Sequence, residues 1–147
     1  MPNDIKSILT ANDNVKFATD VGTRMHARLG RIVIDADKTS GDTDLIEKIN
    51  SVPGLSHLFS AQSQVEVPIA GTIAHRFVSR RIDRLLVDTE QRVVYVLDYK
   101  TDTNRDMFHD AYVAQLREYG TLLAQMYVGY KIFRYILWTH DWVLESV

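Results

Sequence analysis

Asp83, Asp98 and Lys100 are charged residues within two otherwise apolar segments of the chain. A polar break at residues 89–91 separates these segments, and this pattern predicts a β-hairpin. A turn centred in the break pairs Asp83 with Asp98, and such pairs project to the same side with Cβ atoms roughly 5 Å apart. Because side chains alternate along a strand, Lys100 shares that face with Asp98. The sequence therefore predicts one surface that carries two carboxylates and an ammonium group.

Two carboxylates at that distance repel each other, so one of their pKa values rises unless a cation lies between them. A fold does not require such a pair, whereas a divalent metal ion does. Oxygen-rich sites of this kind suit magnesium or manganese. A change of one residue in the turn gives a diagonal pairing that still permits a shared ion. The other interpretation is that the three charges are ordinary ends of strands.

The composition is that of an ordinary globular protein. The chain has 147 residues, of which 46% are hydrophobic and 24% charged, and this length predicts one domain. The absence of cysteine excludes disulfides, zinc–thiolate sites and an iron–sulfur cluster. No apolar run approaches the roughly 18 residues of a membrane span. The N-terminus does not have the pattern of a signal peptide, so we expect a cytoplasmic protein without a membrane partner.

Charge is distributed unevenly along the chain. The net charge of −2 gives no support to general nucleic-acid binding, for which a basic domain is typical. However, four arginines lie close to the acidic pair, namely Arg76, Arg80, Arg81 and Arg84. They either contact phosphates or form the solvated face of one strand.

The segment before the hairpin predicts helices followed by an edge strand. Apolar residues recur at helical spacing from about Val15 to Leu29, and His26 lies beside that stripe. A single histidine near an apolar face is more often structural than a ligand. A second helix is expected from about Thr43 to Asn50. Gln64 to Ile69 alternates as a strand, and its proline favours an edge position, with Gly71-Thr72 turning the chain into the hairpin. Glu66 in this strand is either a group near the metal or a solvent-facing residue.

The segment after the hairpin predicts a long helix from about Met107 to Tyr127 and two final strands. Gln115 and Tyr119 are four residues apart and lie on the same helical face. Strands are expected from Lys131 to Thr139 and from Trp142 to Val147. This order of elements predicts an α/β fold in which helices flank a central mixed β-sheet with an antiparallel hairpin.

With these elements placed, the chain resembles the RecB/AddA-type C-terminal nuclease domain of the PD-(D/E)XK superfamily, and most closely the AddA branch. The segments that carry the resemblance are GTRMHARL, LFSAQSQVEVPIAG, RIDRLLVD, VLDYKT, QLREY and LWT. A D-x-K motif alone is weak, but several ordered motifs together are strong. The resemblance implies a restriction-endonuclease-like core. The resemblance also implies that residues 1–147 form a single nuclease domain. About 15–147 match the family, and 1–14 are an N-terminal extension.

The resemblance also implies a function and a set of site residues. The reaction is hydrolysis of DNA phosphodiesters, exonuclease-like and leaving a 5′-phosphate, in recombination or repair, alone or with a helicase or recombination subunit. The implied metal ligands for Mg²⁺ or Mn²⁺ are His26, Asp83, Asp98 and the backbone carbonyl of Tyr99. The implied catalytic residues are Lys100, Asp98 and Asp83. The residues implied to contact or position DNA or the lysine are Gln115, Tyr119, Arg76, Arg80, Arg81 and Arg84. Glu66 occupies a position typical of the AddA branch, and its two interpretations, a group near the metal or a solvent-facing residue, both stay open.

One position departs from the family pattern. Arg80 stands three residues before Asp83, where the family usually has glycine, so it either crowds the DNA or contributes a phosphate contact. Two alternatives to an active exonuclease therefore stay open. One is a catalytically weak or inactive nuclease-fold module for DNA binding or scaffolding. The other is a resolvase or repair endonuclease on the same fold.

Overall fold

The computed structural model describes residues 22–147. Residues 22–30 are helical and form α1. The first half of the predicted N-terminal helix, residues 15–21, lies outside the described residues. The other elements are β1 (Val33–Ile34), β2 (Thr39–Ser40), α2 (Thr43–Ser51), a 3₁₀ turn (Ser56–Phe59), β3 (Gln64–Ile73), β4 (Arg76–Asp88), β5 (Val93–Lys100), α3 (Arg105–Met126), β6 (Lys131–Trp138) and β7 (Val143–Ser146).

Strands β3 to β7 form one mixed sheet with the order β3-β4-β5-β6-β7. Neighbouring strands are antiparallel except β5 and β6, which are parallel and are connected through α3. Strands β1 and β2 pair separately as a small antiparallel ribbon. The predicted α/β fold with a mixed sheet, an antiparallel hairpin and flanking helices is therefore confirmed. No helix within residues 22–147 has the length and apolar character that a membrane span requires.

The sheet has a hydrophobic core on each face. The core beneath α3 consists of Ile69, Val78, Ile82, Leu85, Val94, Val96, Leu116, Tyr119, Leu122, Leu123, Ile136 and Trp138. The core beneath α1, α2 and the 3₁₀ turn consists of Leu29, Ile32, Leu45, Ile49, Leu55, Leu58, Phe59, Leu86, Leu97, Tyr99 and Leu137. Because apolar side chains of β5 enter both cores in alternation, both of its faces are covered.

The predicted register of the β4–β5 hairpin is confirmed. Val87 pairs with Val94 and Leu85 pairs with Val96, so the turn is centred where the polar break predicts it. The paired ladder ends at Arg84 and Leu97, one residue before Asp83 and Asp98 would meet. The two carboxylates therefore lie just beyond the last backbone pair of β4 and β5, while Asp98 still pairs with Ile136 of β6.

Strand β3 occupies the sheet edge as predicted but is longer than predicted. Gly71-Thr72 does not turn the chain; it lies within the strand, and the chain turns at Ala74 and His75, whose φ angles are 50° and 65°. Positive φ at both central residues is typical of a two-residue hairpin turn. Gly71 instead allows α3 to approach, since a Cβ there would lie 2.6 Å from Gln125 Oε1.

The alternation of β4 changes phase at Asp83. Ile82 and Leu85, three positions apart, both enter the core beneath α3, while Arg84 enters the opposite side. The flanking register places Glu66 opposite Asp83, and Glu66 has a positive φ of 52°. Positive φ at a non-glycine residue is uncommon and often marks a functional position. This irregularity turns the carboxylates of Glu66 and Asp83 towards α1.

Candidate metal centre and its lysine

Three potential ligand side chains come together where α1 meets the β3–β4 pair. One ligand atom each from His26, Glu66 and Asp83 lies within 4.8 Å of the other two. His26 Nδ1 is 3.6 Å from Asp83 Oδ1. The three residues come from separate elements, α1, β3 and β4, so only the tertiary fold brings them together.

The backbone of Tyr99 orients two members of this group. Its carbonyl lies 3.1 Å from His26 Nε2 and, being an acceptor only, requires that Nε2 carry the hydrogen. In the neutral imidazole, the lone pair of Nδ1 is then on the side of Asp83. A metal-binding histidine commonly donates its other ring N–H to a carbonyl in this way. The carbonyl thus has an orienting role here, and its direct bond to a metal stays a prediction.

Asp83 is a buried carboxyl group of the site with a raised pKa. Only 9% of the residue is exposed, and its Oδ2 accepts a hydrogen bond of 2.8 Å from the Tyr99 backbone N–H. Burial, followed by the negative charge of Asp98, raises the pKa of Asp83 to about 8. The predicted rise in the pKa of one carboxyl group is therefore present at Asp83, with burial as its larger cause. A cation beside Asp83 would favour the charged form again.

Asp98 lies on the lysine side of the site. It is 3% exposed, and its Oδ2 is 2.9 Å from Lys100 Nζ. The geometry of that contact is not that of a hydrogen bond, and within residues 22–147 this buried oxygen has no other partner. Asp98 is not a member of the His26–Glu66–Asp83 group, so its role as a ligand stays a prediction.

Lys100 is held by side chains of α3. Its Nζ donates to Gln115 Oε1 at 3.0 Å and lies 4.2 Å from the centre of the Tyr112 ring. Gln115 Nε2 in turn donates to the Tyr119 hydroxyl at 2.8 Å. Gln115 of the predicted pair thus contacts the lysine directly and Tyr119 contacts Gln115; positioning of the lysine is one of the two roles that the resemblance implies.

Two further residues support Lys100 and were not assigned a role from the sequence. Tyr112 packs its ring on the ammonium group and donates its hydroxyl to Asp102 Oδ2 at 2.6 Å. Thr139 donates its backbone N–H to the Lys100 carbonyl at 2.9 Å. Tyr112 lies one turn before Leu116 in an apolar stripe, so helical spacing alone indicates only a core residue.

Arg84 requires a correction. The resemblance implies a DNA contact, but the residue is 2% exposed and its guanidinium group lies inside the protein. It donates to the Tyr99 hydroxyl at 2.9 Å, to Ser63 Oγ at 2.6 Å and to the Leu29 carbonyl at 2.8 Å. The phase change at Asp83 places this side chain beneath α1. Arg84 is therefore a structural residue that joins α1 to β5.

The other three arginines are exposed. Arg80 Nε is 2.6 Å from Glu118 Oε1 on α3, and Arg81 Nη1 is 3.8 Å from Glu66 Oε2. Arg80, Glu118 and Gln115 line a groove of about 460 Å³ between β4 and α3. Arg80 thus borders a groove next to the lysine and is already paired with a carboxylate.

The donor set fits a hard divalent cation. One imidazole nitrogen and several carboxylate oxygens match the ligands of Mn²⁺, and the carboxylates match those of Mg²⁺. The raised pKa of Asp83, caused first by burial and then by the charge of Asp98, shows that its carboxylate form is disfavoured when no cation lies beside it. These features fit a metal ion held beside Asp83.

No protein-family model matches the chain, and no curated protein matches it at a significant level. The resemblance to a nuclease family therefore stays a prediction from the sequence motifs.

Proposed function

We propose that this protein is a divalent-metal-dependent DNA nuclease of the RecB/AddA type, with a restriction-endonuclease-like PD-(D/E)XK core. One observation carries the proposal: the His26–Glu66–Asp83 group lies beside a buried aspartate that contacts an anchored lysine. Such an arrangement combines a cation site with a positioned ammonium group, which is what phosphodiester hydrolysis requires.

Each residue of the site has a role in this proposal. His26, Glu66 and Asp83 hold Mg²⁺ or Mn²⁺, and Asp98 adds negative charge next to them. The bound cation supplies Lewis acidity towards the phosphate and lowers the pKa of water. Lys100 orients the attacking water and offsets charge that develops on the phosphate. Gln115 keeps the ammonium group in place between Asp98 and the groove.

The proposed substrate is DNA, contacted mainly through its backbone. Exposed Arg76 and Arg81 are available for phosphate contacts, which carry little sequence information. The net charge of −2 makes strong binding by this chain alone unfavourable. We therefore propose that the nuclease acts with a helicase or recombination subunit that supplies the DNA strand.

A nuclease assay tests the proposal. Linear single- and double-stranded DNA is incubated with the protein in Mg²⁺, Mn²⁺ or EDTA, and cleavage is expected only with a metal ion. Lys100→Ala should lower kcat by about 100-fold or more. Lys48→Ala, at an exposed position of α2, is the matched control and should retain wild-type activity. If the wild-type protein cleaves none of these substrates in either metal ion, the enzyme assignment is wrong.

The alternative of a catalytically weak DNA-binding module is favoured by the Arg80–Glu118 pair. This pair borders the groove beside Gln115. Its arginine, Arg80, stands where the family usually has glycine. A module of this kind would bind DNA in the same experiment but would not cleave it in the presence of metal ions. Binding and cleavage measured on the same substrates therefore separate the two functions.

A further inference from the structure

The ribbon formed by β3 and the first half of β4 has two chemically different faces. Its inner face packs on α3 through Ile69, Val78 and Ile82, which are buried. Gly71 belongs to this face, as shown by the approach of Leu122 and Gln125. Because side chains alternate in a strand, the intervening residues project away from α3.

The opposite face is exposed along its whole length, and we call it the outer ribbon face. Its cross-strand pairs are Pro68–Arg81, Ala70–Ser79 and Thr72–Phe77. All six residues are exposed, and Phe77 is 76% exposed. Within residues 22–147, no helix or strand covers this face.

The outer ribbon face leads directly to the candidate metal centre. The next position along the two strands is Glu66 opposite Asp83, and both belong to the group with His26. Phe77 lies six positions before Asp83, which corresponds to roughly 20 Å at about 3.3 Å per residue. The face is therefore long enough for several nucleotides of a DNA strand at about 3.4 Å each.

The side chains on this face suit a polynucleotide. Ala70 and Ser79 at its centre are small, so a backbone is able to approach the sheet closely. Arg81, and the hydroxyls of Ser79 and Thr72, are phosphate-binding groups. Phe77 at the far end offers an exposed ring on which a base can stack.

We propose that the outer ribbon face is the substrate track of the nuclease. One DNA strand lies along it, with a base on Phe77 and phosphates at Ser79 and Arg81, and it reaches the metal centre at Glu66 and Asp83. The strand is either single-stranded DNA or one strand at a duplex end, since both present the same phosphates and bases. This proposal rests on the proposed function, because the metal centre defines the end of the track at which the DNA strand is cleaved.

Binding of labelled DNA in EDTA tests the track without interference from cleavage. Single-stranded and blunt duplex oligonucleotides of about 20 nucleotides exceed the track at about 3.4 Å per nucleotide. Ser79→Glu places a carboxylate in the middle of the track, and Ser79→Gln is the matched neutral control. We expect Ser79→Glu to raise Kd at least about fivefold and Ser79→Gln to stay within about twofold of wild type. The oligonucleotide that shows the larger difference identifies which form of DNA the track binds.

Two further variants keep the test independent of any single substitution. Ala70→Glu introduces the same charge directly opposite Ser79 and should act in the same direction if Ser79→Glu fails to fold. Phe77→Ala should raise Kd at least about fivefold, whereas Phe77→Tyr keeps a stacking ring and should bind like wild type. Circular dichroism verifies the fold of each variant.

Cleavage of long and short substrates separates this proposal from the proposed function. A dinucleotide bound at the metal centre does not reach Ser79, whereas the long oligonucleotide does. Ser79→Glu should therefore lower kcat/KM for the long oligonucleotide more than kcat/KM for the dinucleotide, each compared with wild type. If wild type cleaves DNA while Ser79→Glu, Ala70→Glu and Phe77→Ala all bind it like wild type, the proposed substrate track is wrong and the proposed nuclease function stands. If wild type cleaves nothing but these variants weaken DNA binding, the nuclease is wrong and the binding face stands.

Discussion

His26 and Tyr99 are joined by a hydrogen bond of 3.1 Å between the imidazole Nε2 and the tyrosine backbone carbonyl. The same tyrosine donates its backbone N–H to Asp83. One residue of β5 therefore orients two proposed ligands from different elements, and its ring also packs edge-on against the imidazole. Orientation of this kind leaves His26 Nδ1 free to bind a cation.

Glu66 is expected to be a metal ligand. Because its carboxylate lies within 4.8 Å of ligand atoms of His26 and Asp83, Glu66→Gln should weaken Mn²⁺ binding by about 10-fold or more. Isothermal titration with Mn²⁺ measures this change. Glu47→Gln, an exposed glutamate of α2, is the control and should bind Mn²⁺ like wild type. Equal affinity of Glu66→Gln and wild type would contradict the assignment.

Arg84 is expected to be essential for stability. Arg84→Lys keeps a buried charge but cannot reproduce the planar fork that reaches Tyr99, Ser63 and Leu29. We expect the free energy of unfolding to fall by about 2 kcal/mol or more, measured by urea denaturation. Arg28→Lys, in an exposed ion pair with Asp42, should cost less than about 1 kcal/mol. A loss for Arg84→Lys no larger than that of this control would sink the prediction.

The stability of the metal-free protein should depend on pH through Asp83. Its pKa is raised from 3.8 to about 8 in the folded state, so the folded protein holds a proton that the unfolded chain releases. The free energy of unfolding in EDTA should therefore be highest near pH 4 and fall as pH rises towards 8, by an amount on the order of a few kcal/mol.

Asp83→Asn is the control for this pH dependence. The asparagine still offers an oxygen to the Tyr99 N–H but cannot titrate, so its stability should vary less over the same pH range. Urea denaturation at several pH values compares the two proteins. Parallel curves for wild type and Asp83→Asn would show that Asp83 does not carry the effect.

Gln115 is expected to act on catalysis through Lys100. Gln115→Leu removes the acceptor that holds Nζ at 3.0 Å, so kcat should fall by about 10- to 100-fold. The affinity for Mn²⁺ should not change, because Gln115 does not belong to the His26–Glu66–Asp83 group. Tyr119→Phe, which affects the lysine only through Gln115, should have a smaller effect on kcat. A loss of Mn²⁺ affinity in Gln115→Leu without loss of kcat would contradict this role.

Local patterns in the sequence determined much of the fold. Alternating apolar residues and a polar break predicted the hairpin register, because turn position and side-chain alternation are local properties of two adjacent strands. The same reasoning placed Asp98 and Lys100 on one face of β5, where their side chains lie 2.9 Å apart. The longest helix was also predicted to within two residues at its start, at Arg105 instead of Met107.

Other features followed only from the tertiary structure. Arg84 was expected at the surface because alternation says nothing about a phase change, and only packing against Phe59 and α1 buries its guanidinium group. The turn expected at Gly71 is absent because α3 needs the close approach that glycine permits. Both errors arise from contacts between residues distant in the chain.

The candidate site also combines features that follow from local sequence patterns with features that follow only from the tertiary structure. The sequence by itself determined that Asp83, Asp98 and Lys100 lie at one end of a hairpin, since strand geometry places them there. Only the tertiary structure decided that Glu66 joins His26 and Asp83 while Asp98 contacts the lysine. The reason is physical: a ligand group needs atoms within a few ångströms, and packing of α1, β3 and β4 sets those distances.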